Sequence, residues 1–157
     1  MTKPNIFSWE KIHRDCDTLS AQLKNKKFVG ILSVTRGGMI PACLVAQELG
    51  IKRIETIGYT SYQDQNDTGV LSQIKAPYDV DKKGLGWLVV DDLCDSGRTF
   101  GEIRKVFINA MYATLYVKPT GKIETDYFVE EHPQDTWIYF PWELKSGFLE
   151  KEYVTYD

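Results

Sequence analysis

Residues 87–99 read WLVVDDLCDSGRT and are the most informative part of this sequence. The first four, 87–90, are large and apolar, which predicts a strand buried on both faces. Two acids, a third acid at Asp95 and a small polar run follow directly. From Phe100 onwards the apolar residues recur at helical spacing. A buried strand, a polar turn and a helix in this order predict one unit of an α/β fold.

The rest of the chain repeats this alternation of strands and helices. Ser8 can cap a first helix, and a second helix is expected between Pro41 and Gly50, because proline suits a first helical turn and glycine the residue past the end. Further strands are predicted at residues 28–34, 53–62 and 113–117, with a short fifth strand at 127–129. We therefore predict a mainly parallel twisted sheet flanked by helices, in a single domain over residues 1–157.

Three loops, at residues 35–38, 91–99 and 118–121, leave the carboxyl ends of the predicted strands. Ligands bind at those ends in sheets of this kind, so the three loops are the expected ligand site. Another segment, residues 63–83, is polar and too long for an ordinary connector. It predicts either a lid over the site or a plain surface loop without regular structure, and the sequence leaves both open.

Composition narrows the classes of function. Nineteen basic and 22 acidic residues give a net charge of −3, which argues against a protein whose main task is binding nucleic acid. The three cysteines form no Cys-x-x-Cys pair, so we expect reduced thiols and neither a disulfide framework nor a structural zinc. No stretch reads as a signal peptide or approaches the roughly 18 apolar residues of a membrane span. We therefore expect a cytoplasmic protein.

The chemistry is concentrated in residues 91–99. Burying adjacent acids costs free energy unless hydroxyls, amide donors or a cation meet them. The N–H groups of a loop that opens a helix favour a phosphate, and the hydroxyls of Ser96 and Thr99 add donors. Together these groups predict a pocket for a phosphorylated sugar. The alternative is an ordinary helix cap at Asp95 or Ser96 with solvated acids beside it, which explains one acid but not three.

This motif resembles the binding motif for phosphoribosyl pyrophosphate (PRPP) of the type I phosphoribosyltransferases: two acids, two apolar or small residues, then Asp-Ser-Gly-x-Thr. Residues 33–38 are similar to the short pyrophosphate loop of that family. Residues 116–121 and 133–138, with Pro141-Trp142, resemble its bacterial xanthine-guanine members. The resemblance covers roughly residues 8 to 143, which is nearly the whole chain.

The resemblance implies a role for each residue of the PRPP half of the site. Asp91 and Asp92 would hold the ribose hydroxyls, with Asp92 also near Mg²⁺, the implied cofactor. Asp95 would be the catalytic base that takes the proton from N7 of a purine. The 5′-phosphate would lie in a loop made of Ser96, Gly97, Arg98 and Thr99. Pyrophosphate would bind the loop backbone at Arg36 and Gly37, in an unusual peptide conformation.

The resemblance also implies a base-binding half. Trp137 would stack on the purine, and Ile138 would meet its edge through backbone groups. An ammonium is a donor only, so Lys118 suits the acceptor O6 of a 6-oxopurine and opposes the amino group of adenine, a discrimination of about 10⁴-fold at such sites. Taken singly, a lysine after a strand is more often solvated surface, and a tryptophan is more often core packing. The order among guanine, xanthine and hypoxanthine stays open.

The implied fold adds a base-binding hood at about residues 119–157 and a mobile active-site loop at 63–85. The implied function is purine salvage: transfer of 5-phosphoribosyl from PRPP to a 6-oxopurine. The alternative is a regulator of the same fold that binds PRPP or nucleotide without turnover. The resemblance further implies a homotetramer or homodimer, and it leaves peripheral association with the inner membrane open, without integral membrane contact. Arg98 stands where relatives often have glycine.

Overall fold

The structure, a computed structural model, describes residues 4–62 and 69–144. Within these residues the helices are α1 (Trp9–Leu23), α2 (Met39–Leu49) and α3 (Arg98–Val106). The strands of the described residues are β1 (Asn5–Ile6), β2 (Gly30–Thr35), β3 (Ile54–Tyr62), β4 (Val70–Lys75), β5 (Trp87–Cys94), β6 (Met111–Val117), β7 (Glu130–Glu131) and β8 (Ile138–Tyr139). Short 3₁₀ turns lie at Lys82–Gly84, Lys122–Glu124 and Pro141–Glu143.

Six of the strands form one sheet in the order β4-β3-β2-β5-β6-β7. All neighbours in it are parallel except β3 and β4, which are antiparallel. The remaining strands, β1 and β8, pair in parallel as a separate two-stranded sheet. The predicted α/β fold with a mainly parallel sheet is confirmed.

Helices cover both faces of the central sheet, as predicted. Leu88 and Val90 of β5 belong to the core under α1 and α2. Val89, between them, belongs to a second core together with Phe100 and Ile103 of α3. Since successive strand residues point to opposite faces, a strand between two helical layers must be apolar at every position. This explains the unbroken apolar run at residues 87–90.

Several predicted element ends differ from the structure by one or two residues, and two strands differ more. The predicted strand at residues 87–90 continues to Cys94, because Asp91 pairs with Thr114 and Cys94 with Val117 of β6. Asp91 and Asp92 are therefore strand residues and not loop residues. The strand expected at 127–129 lies at Glu130–Glu131, and Tyr127 forms only a single bridge to Ala113.

The prediction that residues 63–83 lack regular structure was wrong for residues 70–75, which form strand β4. Strand β4 pairs antiparallel with β3, with Val70 opposite Tyr62. It is an edge strand, and Val70 and Ile74 are each 64% exposed. An edge strand with a solvated face tolerates the polar composition that suggested a loop. Residues 63–68 lie outside the described residues.

Beyond β6 the described chain is a series of short elements that end at residue 144. It includes β8, which pairs with β1, so residues 5–6 belong structurally to this C-terminal region. Nothing in the sequence pattern indicated that partnership. Residues 145–157 of the expected hood lie outside the described residues. Among residues 4–62 and 69–144, no helix combines the length and apolar character needed to cross a membrane.

Candidate active site

The three loops expected at the carboxyl ends of the strands meet at one edge of the sheet. A side-chain carbon at Gly37 would overlap the carboxylate of Asp92, so the loop after β2 lies directly against β5. The turn after β6 is equally close, because the backbone N–H of Lys118 donates to the carbonyl of Cys94 at 3.0 Å. The sheet topology thus brings together residues that are more than 80 positions apart in sequence.

The two carboxylates on β5, those of Asp91 and Asp92, are half-buried, and the pKa of each is raised. Asp91 accepts a hydrogen bond from the backbone N–H of Asp92 at 2.9 Å, and Asp92 accepts one from Leu93 at 2.7 Å. Burial, followed by the charge of Asp92, holds the pKa of Asp91 well above its usual range. Burial also raises the pKa of Asp92 to about 6.

No lysine or arginine in the described part of the chain forms an ion pair with either carboxylate. Their charge is therefore costly in this state of the protein. Hydroxyl donors or a cation brought by a ligand would relieve that cost.

The loop between β5 and α3 surrounds a cavity of about 110 Å³. Gly97 precedes the helix with φ +84°, a left-handed conformation that side chains rarely adopt. The hydroxyl of Ser96 accepts a hydrogen bond from the N–H of Arg98 at 3.3 Å. The helix begins at Arg98, and the first turn of any helix has N–H groups without intrahelical partners. Because the first residues of α3 line this cavity, it is a favourable place for an anion. The residues that line the cavity are Asp91, Leu93, Cys94, Asp95, Ser96, Gly97, Arg98, Thr99 and Phe100.

The side chain of Arg98 contacts the start of β4, where its guanidinium donates to the carbonyl of Gly69. The loop after β2 contains a cis peptide bond between Thr35 and Arg36. That is where the resemblance implies an unusual peptide conformation.

Lys118 is buried, with 5% of its surface exposed, so the solvated-surface interpretation of this lysine is wrong. Its ammonium donates to Oδ2 of Asp95 at 3.1 Å. The Asp95 side chain is about half exposed, which leaves it open to a ligand. The expected catalytic base and the expected base-binding lysine thus form one ion pair.

Gln134 also contacts Asp95, although its position in the sequence had suggested no role for it. Its amide Nε2 donates to Oδ1 of Asp95 at 2.7 Å, and its Oε1 accepts from the backbone N–H of Thr120 at 3.0 Å. Gln134 lies in the 133–138 stretch that carried the resemblance, but nothing in the pattern of residue types distinguished it from other surface glutamines. Its partners become apparent only in the fold.

Trp137 is 64% exposed, so the core-packing interpretation of this side chain is wrong. Its neighbour Ile138 is buried in β8. The backbone N–H of Asn5 donates to the carbonyl of Trp137 at 2.8 Å, and Phe7 donates to Tyr139 at 3.0 Å. In a parallel pair these bonds alternate along the strand, so the N–H and C=O of Ile138 face the edge opposite β1. The exposed ring of Trp137 and the outward-facing backbone groups of Ile138 therefore belong to neighbouring residues.

Comparison with known proteins adds independent findings. The family described as phosphoribosyl transferase domain matches residues 4–147. A xanthine-guanine phosphoribosyltransferase of Chromohalobacter salexigens is 41% identical over 143 residues, 91% of this chain and 86% of that protein. The enzyme of the same description from Desulfotalea psychrophila is 44% identical over 143 residues, 90% of this chain and 88% of that protein.

Solved structures agree. A purine phosphoribosyltransferase from Pyrococcus horikoshii superposes with a TM-score of 0.80 at 25% identity, covering 92% of this chain and 96% of that one. A xanthine-guanine-hypoxanthine phosphoribosyltransferase from Helicobacter pylori shares the fold with a TM-score of 0.79 at 24% identity, over 94% and 99% of the two chains. Fold, sequence and the arrangement at the edge of the sheet agree, and the chain belongs to the phosphoribosyltransferase family.

Proposed function

We propose that this enzyme transfers the 5-phosphoribosyl group of PRPP to a 6-oxopurine, giving the nucleoside 5′-monophosphate and pyrophosphate. One observation carries the proposal: a buried ammonium, Lys118, lies 3.1 Å from the half-exposed carboxylate of Asp95. On a 6-oxopurine the acceptor O6 and the N7–H donor are neighbours, so this donor and acceptor complement them. Adenine presents an amino group to the ammonium, which leaves two donors facing each other.

The PRPP half follows from the cavity and the carboxylates. The 5′-phosphate binds in the loop of Ser96, Gly97, Arg98 and Thr99, mainly through backbone N–H groups at the start of α3. The ribose hydroxyls donate to Asp91 and Asp92, whose pKa values are raised mainly by burial. Pyrophosphate binds the backbone of the loop at Arg36 and Gly37, which lies against Asp92.

The reaction is a displacement at C1 of the ribose. A ring nitrogen of the base attacks with inversion, the bond from C1 to the pyrophosphate oxygen breaks, and the N7 proton passes to Asp95. Positive charge develops on the sugar ring, so fixing the two reactants in line supplies much of the acceleration. Proton transfer to Asp95 adds about 10²–10⁴-fold. Trp137 stacks on the base, and the backbone of Ile138 meets its edge.

The residues present fit a magnesium ion carried by PRPP. Asp92, with Asp91 beside it, offers carboxylate oxygens, the ligands that Mg²⁺ prefers, and the remaining ligands are substrate oxygens and water. Among residues 4–62 and 69–144 no group of three or more acids, histidines or cysteines is arranged to hold a metal without substrate. When bound, the ion neutralises charge on the leaving pyrophosphate.

Membership of the phosphoribosyltransferase family supports the further parts of this proposal. Residues 119–144 act as the hood over the base, and the segment around β4 acts as the active-site loop. The enzyme works in the cytoplasm as a homotetramer or homodimer. The regulator interpretation is not favoured, because the similar curated proteins are named as transferases.

A panel of bases tests the proposal. The purified protein is incubated with PRPP and Mg²⁺ and, separately, guanine, xanthine, hypoxanthine, adenine or orotate, and nucleotide and pyrophosphate are both measured. We expect turnover with 6-oxopurines and a rate at least about 10³-fold lower with adenine. Equal turnover with adenine would overturn the assignment of Lys118. PRPP binding without turnover of any base would overturn the enzyme interpretation.

A further inference from the structure

Gln134 joins two parts of the site that come from different turns. Its side chain reaches Asp95, which follows β5, and Thr120, which lies in the turn after β6. That turn begins at Lys118, whose carbonyl accepts a hydrogen bond from the N–H of Gly121 at 3.0 Å. Gln134 therefore links the turn that carries the lysine to the carboxylate that the lysine contacts.

Chemistry fixes the orientation of the Gln134 amide. The Thr120 partner is a backbone N–H, which can only donate, so it must face the oxygen of the amide. The NH₂ group then faces Asp95, which as a carboxylate can only accept. The reversed amide would place two donors together at Thr120 and two acceptors together at Asp95. Gln134 is thus held as a donor towards Asp95.

The Asp95 carboxylate needs such a partner. The final torsion of an aspartate is broad, so a half-exposed carboxylate has no preferred plane of its own. Here Gln134 holds Oδ1 at 2.7 Å and Lys118 holds Oδ2 at 3.1 Å. In the proposed complex the ammonium of Lys118 also serves O6 of the base, and Oδ2 also faces the N7–H. Oδ1 keeps its contact with Gln134, which therefore still fixes the plane of the carboxylate.

We propose that Gln134 is a positioning residue for the transfer step. By donating to Oδ1 it fixes the plane of the carboxylate and leaves Oδ2 directed at the N7 proton of the bound base. The inference rests on the proposed function, in which Asp95 is the proton acceptor. Among residues 4–62 and 69–144, the charged group that forms an ion pair with Asp95 is Lys118. The adjacent thiol of Cys94 stays neutral near pH 7, since burial raises its pKa to about 11.

Two substitutions separate this role from a purely structural one. Gln134→Glu keeps an oxygen for the Thr120 N–H but replaces the donor towards Asp95 with a second carboxylate. Gln134→Ala removes both contacts. If Gln134 only secured the turn, Glu would behave like the wild type and Ala would be impaired. If it positions Asp95, Glu must be at least as impaired as Ala.

The experiment measures kcat and KM for both substrates, the pH profile of kcat/KM, and the melting temperature. We expect kcat to fall about 10-fold in Gln134→Ala and further in Gln134→Glu, with the KM for PRPP changed less than about 2-fold. The acidic limb of the profile moves to higher pH in both variants, since each loses a donor to the ionised carboxylate. Gln47→Glu, the same change on the exposed side of α2, is the matched control and retains wild-type kinetics.

The opposite results would overturn the inference. Wild-type kcat in Gln134→Glu, or an unmoved acidic limb in both variants, shows that the amide does not act on Asp95. Failure of the proposed function is recognised separately: a wild type that turns over no 6-oxopurine, or an Asp95→Asn variant with full activity, removes Asp95 as the base and Gln134 with it. An active wild type and an inactive Asp95→Asn leave Gln134 to be judged on its own variants.

Discussion

The motif at residues 91–99, with the proposed phosphate loop at residues 96–99, and the proposed base-binding half of the site are built in different ways. The motif is one continuous stretch that runs from a central strand into the first turn of a helix. The proposed base-binding half takes Lys118, Gln134, Trp137 and Ile138 from separate turns and a two-residue strand. The geometry of the motif is set by local structure on a buried sheet. The geometry of the base-binding half depends on the contacts that attach a peripheral region to the rest of the molecule.

Aromatic side chains make these contacts, and the central one, Phe7, lies near the N-terminus. The ring of Phe7 lies 4.8 Å from that of Tyr116 on β6 and 6.0 Å from that of Phe140, centroid to centroid. Phe140 in turn stacks on Trp142 at 4.9 Å. With the β1–β8 pairing, these contacts hold the base-binding half against the sheet. Damage to the phosphate loop should therefore abolish PRPP binding, whereas damage to the base-binding half should spare it.

Asp95 lies where the two halves meet, and its replacement should have the largest effect. Asp95→Asn keeps the shape of the side chain but removes the carboxylate that accepts the N7 proton, so we expect kcat to fall about 10²–10⁴-fold. PRPP affinity, measured by calorimetry with Mg²⁺, should stay within a few-fold of wild type. Asp17→Asn, on the exposed face of α1, is the control. Loss of PRPP binding in Asp95→Asn would show that the two halves are not separable.

Lys118 tests the base-binding half next. Lys118→Met fills the buried space without a donor, and the loss of a charged hydrogen bond to O6 should lower kcat/KM for a 6-oxopurine about 10²-fold. The ratio of adenine to guanine turnover should rise, because the donor that opposes the adenine amino group is gone. Steady-state kinetics with each base check this. An unchanged ratio would mean that Lys118 does not contact the base.

The same contrast explains what the sequence could predict. The motif at 91–99 lies within one strand–helix unit, so its residues and their chemistry were visible in local pattern. Lys118 and Trp137 could be assigned only by resemblance, because local pattern favoured a surface lysine and a core tryptophan. In the structure the lysine is buried and the tryptophan is exposed. The contacts of Gln134 and the pairing of β1 with β8 join residues far apart in sequence, and no periodicity encodes them. Strand β4 was missed because an edge strand resembles a polar loop in composition.

Trp137 should show a smaller effect, confined to the base. Stacking a base on an aromatic ring contributes about 1–3 kcal/mol, so Trp137→Ala should raise the KM for the purine by roughly 10- to 100-fold. Trp137→Phe should recover most of that loss. Because the side chain is 64% exposed, the melting temperature should hardly change. A large drop in melting temperature for Trp137→Ala would assign the ring to the fastening of the hood.

Replacing Asp92 tests whether a residue of the PRPP half lowers the stability of the ligand-free protein. Its pKa is raised from 3.8 to about 6 on folding, so its ionisation destabilises the free protein; that cost is absent below about pH 4 and complete above about pH 6. Asp92→Asn should therefore stabilise the ligand-free protein at pH 7.5 by on the order of 1–3 kcal/mol, and the gain should disappear towards pH 4. Urea unfolding across this range measures it.

The binding side of the same variant supplies its own test. PRPP with Mg²⁺ should raise the melting temperature of the wild type and not that of Asp92→Asn. A variant that is less stable than the wild type at pH 7.5 would contradict the proposed electrostatic cost.

Arg98 should show the smallest effect, although it lies inside the phosphate loop. Its guanidinium contacts the carbonyl of Gly69. In the proposed binding mode the loop holds phosphate through backbone N–H groups, which any residue at this position supplies. Arg98→Ala should therefore change PRPP affinity less than about 3-fold and stability by about 1 kcal/mol or less. Faster hydrogen exchange at the start of β4 would report the lost contact. A 10-fold loss of PRPP affinity would instead mean that this side chain binds phosphate directly, and that the loop does not act through its backbone alone.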